Sequence, residues 1–212
     1  LLQAMSEEVN LIASPQMQDF PLLPTFNTKF NNMIEWYYFD SYFNEEEIKQ
    51  IEKTLRSTPY EEATVEGGNE EYRKSSIKWI MPFQENRWLF DRLMNCITEA
   101  NNELWNFDLQ SVRDNIQYTE YRSEDKGFYD WHMDIGSGLL STRKVSLTVQ
   151  LSDPSDYEGG ELELKIGNSS IKPSNAKGTV IIFPSYFLHR VTPVTKGLRK
   201  SMVLWTGGSS YK

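Results

Sequence analysis

The 212-residue chain is 39% hydrophobic and 25% charged, the composition of an ordinary globular protein and not of a disordered or membrane-spanning one. With 30 Asp and Glu against 22 Lys and Arg the net charge is −8, and that acidity opposes the basic face that binding to nucleic-acid phosphates needs. No apolar run approaches the roughly 20 residues of a membrane-spanning helix, and a single cysteine, Cys96, leaves no partner for an intrachain disulfide.

Length favours one domain. Residues 1–32 show no period and carry Pro15, Pro21 and Pro24, which predicts an irregular extension ahead of a domain spanning 33–212. The first residues lack the basic start and apolar run of a secretory signal, and with the lone cysteine this gives an expected cytoplasmic location. The aromatic run Ile34 to Tyr42 reads as a strand. Asn44, with Glu47 three residues on, has the pattern of a capping box, and Ile48, Ile51 and Leu55 repeat at helical spacing behind it. Residues 60–75 are acidic and contain Gly67 and Gly68, the profile of a mobile loop. Ile77 to Met81 reads as a strand. Glu85 to Leu104 reads as a helix whose apolar face is Leu89, Leu93, Cys96, Ile97 and Leu104.

Beyond residue 115 the period changes from helical to alternating. Short β-branched and aromatic runs at 116–121, 127–133, 144–151, 160–166, 178–183, 188–193 and 199–206 are separated by turns. The expectation is a mainly β protein with supporting helices: a sandwich or jelly roll, its N-terminal helices packed on one sheet.

Two histidines are all the chain contains, His132 and His189, and both fall in these strand-like runs. In Trp131-His132-Met133-Asp134, alternation puts the imidazole and the carboxylate on one side of an extended chain. His189 on a neighbouring strand would complete two nitrogens and a carboxylate on one face of a metal, with positions left open, as non-haem Fe(II) requires. Catalytic zinc is the competing reading, since it can also take His and Asp. Arg199 shifts the balance. It follows His189 after the turn Thr195-Lys196-Gly197, and it shares a strand face with Ser201, Val203 and Trp205. An arginine pointing into a small barrel needs an anionic partner, and its planar fork suits a carboxylate.

Four segments carry a family resemblance: YRSEDKGFYDWHMD (Tyr121 to Asp134), LSDPSDYEGGEL (Leu151 to Leu162), FPSYFLHRVTPV (Phe183 to Val194) and GLRKSMVLW (Gly197 to Trp205). From about Met33 onward the chain resembles the prolyl-4-hydroxylase and lysyl-hydroxylase superfamily of Fe(II)- and 2-oxoglutarate-dependent dioxygenases, and within it the PKHD-type hydroxylases. The resemblance implies a double-stranded β-helix, with His132, Asp134 and His189 as iron ligands and catalytic centre. It implies 2-oxoglutarate held by Arg199, with Tyr121 and Gln150 beside it, and ascorbate as a reductant. Tyr118, Tyr129, Thr148 and Trp205 are expected in the substrate pocket. Gln150 departs from the pattern, because some eukaryotic relatives have tyrosine there, and this implies a different hydrogen-bond arrangement around Arg199. The segment from Tyr121 to His132 also has one extra residue. Gly159-Gly160 is expected to serve a turn.

The implied reaction is hydroxylation of an unactivated C–H using dioxygen, with a prolyl or other residue of a peptide or protein as substrate. The acidic loop lies where related enzymes place a mobile segment, which suggests a basic peptide. An AlkB-like nucleic-acid demethylase shares the iron site, but Trp205 stands where its second arginine is expected. A non-enzymatic jelly-roll binding protein is the other alternative, although the His-x-His of a cupin is missing.

Overall fold

The computed structural model describes residues 35–63, 72–112 and 114–211. The predicted extension 1–32 and the centre of the acidic loop, 64–71, lie outside these. Among the described residues the order is β1 (Tyr37–Phe39), α1 (Glu45–Leu55), β2 (Glu61–Glu62), β3 (Arg73–Lys74), β4 (Ser76–Ile80), α2 (Arg87–Ala100), β5 (Leu109–Val112), β6 (Ile116–Arg122) and β7 (Phe128–His132). Then follow β8 (Arg143–Gln150), β9 (Tyr157–Gly159), β10 (Leu162–Ile166), β11 (Ser169–Ile171), β12 (Val180–Pro184), β13 (His189–Val191) and β14 (Val194–Gly208).

These strands form two antiparallel sheets. The major sheet runs β1-β12-β8-β14-β6-β4-β2, with β5 and β9 also paired to β14, and the minor sheet runs β11-β10-β13-β7-β3. The alternation of β8 explains how the layers stack. Val145, Leu147 and Val149 point to one side and join Ile48, Ile51 and Leu55 of α1 and Leu89, Leu93 and Ile97 of α2 in the main apolar core. Ser146, Thr148 and Gln150 point to the other side, yet all three are buried. A strand buried on both faces with polar residues on only one implies a polar interior between the sheets. The helices cover the major sheet, as expected of a jelly roll.

The capping box forms as read: the Asn44 side chain accepts from Glu47 N, and Glu47 Oε2 accepts from Asn44 N, both at 3.0 Å. Several expectations need correction. The first strand shrinks to Tyr37–Phe39. The loop 60–75 is not all loop, since its described ends form β2 and β3, which extend the two sheets at their edges. Leu104 is 36% exposed because α2 ends in a π-helical turn, Asn101–Trp105, which rotates it off the apolar face. β5, β9 and β11 were not expected. The β10–β11 hairpin turns on Gly167-Asn168, with Gly167 at φ 56°, a two-residue signal that was legible in the sequence.

Candidate active site

β7 and β13 are antiparallel neighbours in a register that sets His132 directly opposite His189. Asp134 lies just past the end of β7, and its backbone N–H donates to Ser185 O at 2.9 Å, which turns the carboxylate back toward the histidines. His132 Nε2 stands 3.8 Å from Asp134 Oδ1 and His189 Nε2 stands 3.5 Å from Asp134 Oδ2. One ligand atom from each residue can be chosen so that all lie within 4.8 Å of one another.

Each ring is oriented from behind. His132 Nδ1 donates to Asp130 O at 2.7 Å and His189 Nδ1 donates to Phe187 O at 2.9 Å, which fixes the tautomer and leaves each Nε2 as a lone pair facing the carboxylate. Burial, followed by the charge of His189, holds the His132 imidazole well below its usual pKa, although Asp134 acts the other way. Burial disfavours the Asp134 carboxylate, but His189, His132 and the Ser146 hydroxyl outweigh it and hold the group below its usual range. A neutral His132 imidazole and an ionised Asp134 carboxylate are charge states that a divalent metal binds, and the Nε2 atom of each histidine faces the carboxylate. The donor set therefore fits Fe(II).

Ser146 Oγ donates to Asp134 Oδ2 at 2.6 Å and contacts Ser185 Oγ at 2.9 Å, while Arg143 Nη1 reaches the Asp134 carbonyl at 3.3 Å. The Trp205 indole N–H lies beside Asp134 without the geometry of a hydrogen bond. Ser146 is thus an outer partner of the candidate ligand. We expect Ser146→Ala to weaken Fe(II) binding about 10- to 100-fold, as measured by competition with a metal-sensing chelator. Unchanged affinity would show that the carboxylate needs no such orientation.

Arg199 is 2% exposed, and no carboxylate among the described residues pairs with it. Its Nη2 donates to Gln150 Oε1 at 2.9 Å, its Nη1 makes a long 3.4 Å contact with Ser201 Oγ, and its Cζ stands 5.4 Å from the Tyr121 ring centroid. Its Nε has no partner. Gly159 and Gly160 take φ of 74° and 60°, as a turn demands, and a Cβ on Gly160 would come 2.9 Å from Arg199 Cδ. The glycine pair therefore serves both the turn and the approach of the arginine stem.

The triad and Arg199 face one cavity of about 560 Å³ between the two sheets. Of the residues expected in the site, Tyr121, Tyr129, Thr148 and Trp205 also line it. Gln150 acts through Arg199. Tyr118 is a correction: it lies in the helix-side core, with its hydroxyl donating to Glu120 Oε1 at 2.8 Å. On β6 its neighbours Gln117 and Thr119 line the cavity instead. Tyr129 reaches the cavity because β7 bulges. Between the pairs His189↔His132 and Val191↔Tyr129 the strand carries an extra residue, so Tyr129 and His132 share a face and stack at 3.4 Å with planes 13° apart. Sequence reasoning passed over Arg73, Gln117, Trp131 and Arg143, which line the same cavity.

A jelly roll whose sheets enclose two histidines, one carboxylate and a buried arginine has the donors to hold a metal and room beside them for an anionic ligand. Residues 116–207 match the model of the 2OG-Fe(II) oxygenase superfamily. A PKHD-type hydroxylase of Sphingopyxis alaskensis is 44% identical over 68 residues, which are 32% of this chain and 31% of that protein. Another, from Delftia acidovorans, is 41% identical over 93 residues, 40% of each chain. The chain thus matches 31% and 40% of the length of these two curated relatives. The fold is that of a Trichoplax adhaerens prolyl hydroxylase solved with a hypoxia inducible factor peptide fragment (TM-score 0.69, 17% identity, covering 82% of this chain and 83% of that one). A Pseudomonas putida prolyl-4-hydroxylase superposes with TM-score 0.65 at 19% identity, covering 83% of this chain and 94% of that one.

Proposed function

We propose that this chain is an Fe(II)- and 2-oxoglutarate-dependent dioxygenase that hydroxylates an unactivated C–H of a peptide or protein, a prolyl residue first among candidates. One observation carries the reading. Arg199 is a fully buried guanidinium with no acid partner among the described residues, in the same cavity as a two-histidine, one-carboxylate cluster. A buried unpaired charge is costly, so the site calls for an anionic ligand, and a dicarboxylate that also meets the metal satisfies both features.

In this reading His132, Asp134 and His189 hold Fe(II) through the Nε2 atoms and the carboxylate. Bound Fe(II), with dioxygen and 2-oxoglutarate, supplies the oxidising power for hydroxylation, 2-oxoglutarate leaving as succinate and carbon dioxide. The protein's work is positioning. Arg199, steadied by Gln150, takes the distal carboxylate of 2-oxoglutarate, and Tyr121 forms the wall beside it. Thr148 and Trp205 shape the adjoining surface. Tyr129, stacked on His132, keeps that imidazole from rotating and keeps water off its face. Met133 and Leu188 line the cavity yet remain 49% and 36% exposed, an apolar edge suited to the ring and backbone of a prolyl segment. The prolyl hydroxylase names of the fold neighbours support the substrate class. The buried lone Cys96 accords with a reducing, cytoplasmic setting.

The test is anaerobic titration of the protein with Fe(II) and then 2-oxoglutarate. A visible metal-to-ligand charge-transfer band is expected, and its absence in folded protein refutes the assignment. Incubation with Fe(II), 2-oxoglutarate, ascorbate and host extract should then yield peptides heavier by the mass of one oxygen that a His132→Ala control does not produce.

A further inference from the structure

A second buried guanidinium in the same cavity also lacks a counter-ion among the described residues. Arg73, on β3 at the edge of the minor sheet, is 8% exposed and lines the cavity. It donates Nε to Ser75 Oγ at 2.9 Å and Nη2 to Gln117 Oε1 at 2.8 Å, and its Cζ lies 4.6 Å from the Tyr129 ring centroid. All these partners are neutral. Its Nη1 has no hydrogen bond to any described residue. The pairs Arg87–Asp91, Arg92–Glu47, Arg122–Glu120, Arg143–Asp114 and Arg190–Glu163 show how the chain otherwise compensates its arginines. Among the described residues Arg56, on the surface, is uncompensated too, but the two buried cases are Arg73 and Arg199. Scarcity of acids is no explanation in a chain with 30 Asp and Glu against 22 Lys and Arg.

The two arginines stand on different walls. Arg199 is on the major sheet, and Arg73 is on the minor sheet, separated from His132 by the Tyr129 ring that stacks on that imidazole at 3.4 Å. One dicarboxylate held by Arg199 leaves Arg73 with no acid partner among the described residues. Resting on the dioxygenase reading above, we propose that the molecule oxidised carries a carboxylate close to the carbon attacked, and that Arg73 holds it. That carboxylate is an acidic side chain beside the target residue of a peptide, or the free carboxylate of a small acid. The Nη1–Nη2 edge offers the planar fork that a carboxylate matches. A neutral amide of the same shape would leave the guanidinium unpaired, so the acid is favoured about tenfold or more. Arg73 thus points toward acidic partners, in contrast to the basic peptide suggested by the charge of residues 60–71.

Two matched probe pairs test this: capped tetrapeptides Ala-Glu-Pro-Ala and Ala-Gln-Pro-Ala, and N-acetylproline with N-acetylprolinamide. Their binding is read from indole fluorescence, because Trp79, Trp131 and Trp205 line the cavity, and their turnover from the gain of one oxygen. In the wild type the acid of at least one pair should win about tenfold, and which pair responds tells a peptide side chain from a free acid. The ratio should fall to near one in Arg73→Gln, persist in part in Arg73→Lys and reverse in favour of the amide in Arg73→Glu. Ratios near one in both wild-type pairs, including the case where no probe binds, overturn the proposal. So does a ratio that survives Arg73→Gln, or a loss of 2-oxoglutarate binding in Arg73→Gln equal to that in Arg199→Gln. Failure of the wild type to bind 2-oxoglutarate removes instead the function proposed above, and the fluorescence comparison remains readable without it.

Discussion

Arg199→Met is expected to weaken 2-oxoglutarate binding by about 30-fold or more while leaving the empty protein no less stable than the wild type. Both effects have one cause. Among the described residues the guanidinium is buried without an acid partner, so in the absence of a ligand its desolvation is opposed there by the bonds to Gln150 and Ser201 and the nearby Tyr121 ring. Replacing a buried charged group by an apolar one of similar length often stabilises by about 1–4 kcal/mol, and the donor lost to Gln150 costs about 1 kcal/mol. The net, roughly 0–3 kcal/mol in favour of the variant, raises Tm by several degrees at most for a domain of this size. For the ligand the sign reverses. Removing one partner of a buried charge pair costs about 2–5 kcal/mol, a loss of more than about tenfold in affinity at least. With 2-oxoglutarate at about 100 times the wild-type Kd the wild type gains about 2.7 kcal/mol and the weakened variant about 0.9 kcal/mol at most, so the ligand should raise the wild-type melting curve by roughly 2–3 kcal/mol more than the variant's. A variant less stable than the wild type without ligand would mean that Arg199 is satisfied by its neutral neighbours, and the argument from the missing counter-ion would fall.

The pattern that exposed Arg199 in the sequence is the same one that orders the major sheet. Strict alternation in Val145 to Gln150 and in Arg199 to Trp205 separates the helix-facing residues from the cavity-facing ones, so strand parity alone places Ser201, Val203 and Trp205 with the arginine. The same rule excludes Tyr118, which lies three residues from Tyr121 in an unbroken strand and therefore must face the opposite way. Tyr129 and His132 are also three apart and yet stack, because the bulge in β7 restores their common face. Parity is legible and a bulge is not: the extra residue is visible only when the partner strand is in place.

Other features depended on contacts that no local pattern reveals. Arg73 follows a run of acidic residues, where an arginine reads as a surface charge, and its burial comes from Gln117 on β6 and Tyr129 on β7. β2 and β3 have two residues each, too short for any period to register, and exist because neighbouring strands offer free edges. The capping box of α1 and the opposed histidines were readable for the opposite reason. One is a contact between residues three apart, and the other was constrained by there being only two histidines in the chain.

Asp134→Asn should separate a metal ligand from the residues that merely orient it. Asparagine has nearly the shape of aspartate, and its Oδ1 can accept from Ser146 Oγ as Asp134 Oδ2 does at 2.6 Å, so the pocket should stay folded. What disappears is the negative charge. His132 and His189 would then offer a divalent cation two ring nitrogens in a buried site, with no carboxylate to offset the ion's own desolvation. Iron binding should therefore fall by clearly more than the ~10–100-fold that loss of an outer partner such as Ser146 costs. The charge-transfer band with 2-oxoglutarate and the oxygenated product should disappear, while Tm without metal stays within a few degrees of the wild type. The comparison with Ser146→Ala carries the argument, because Ser146→Ala loses the hydrogen bond to the carboxylate and keeps its charge, whereas Asp134→Asn keeps the hydrogen bond and loses the charge. If Asp134→Asn bound Fe(II) as well as Ser146→Ala does, the carboxylate would be positioning the histidines and not holding the ion, and the site would have to be read as two nitrogens alone.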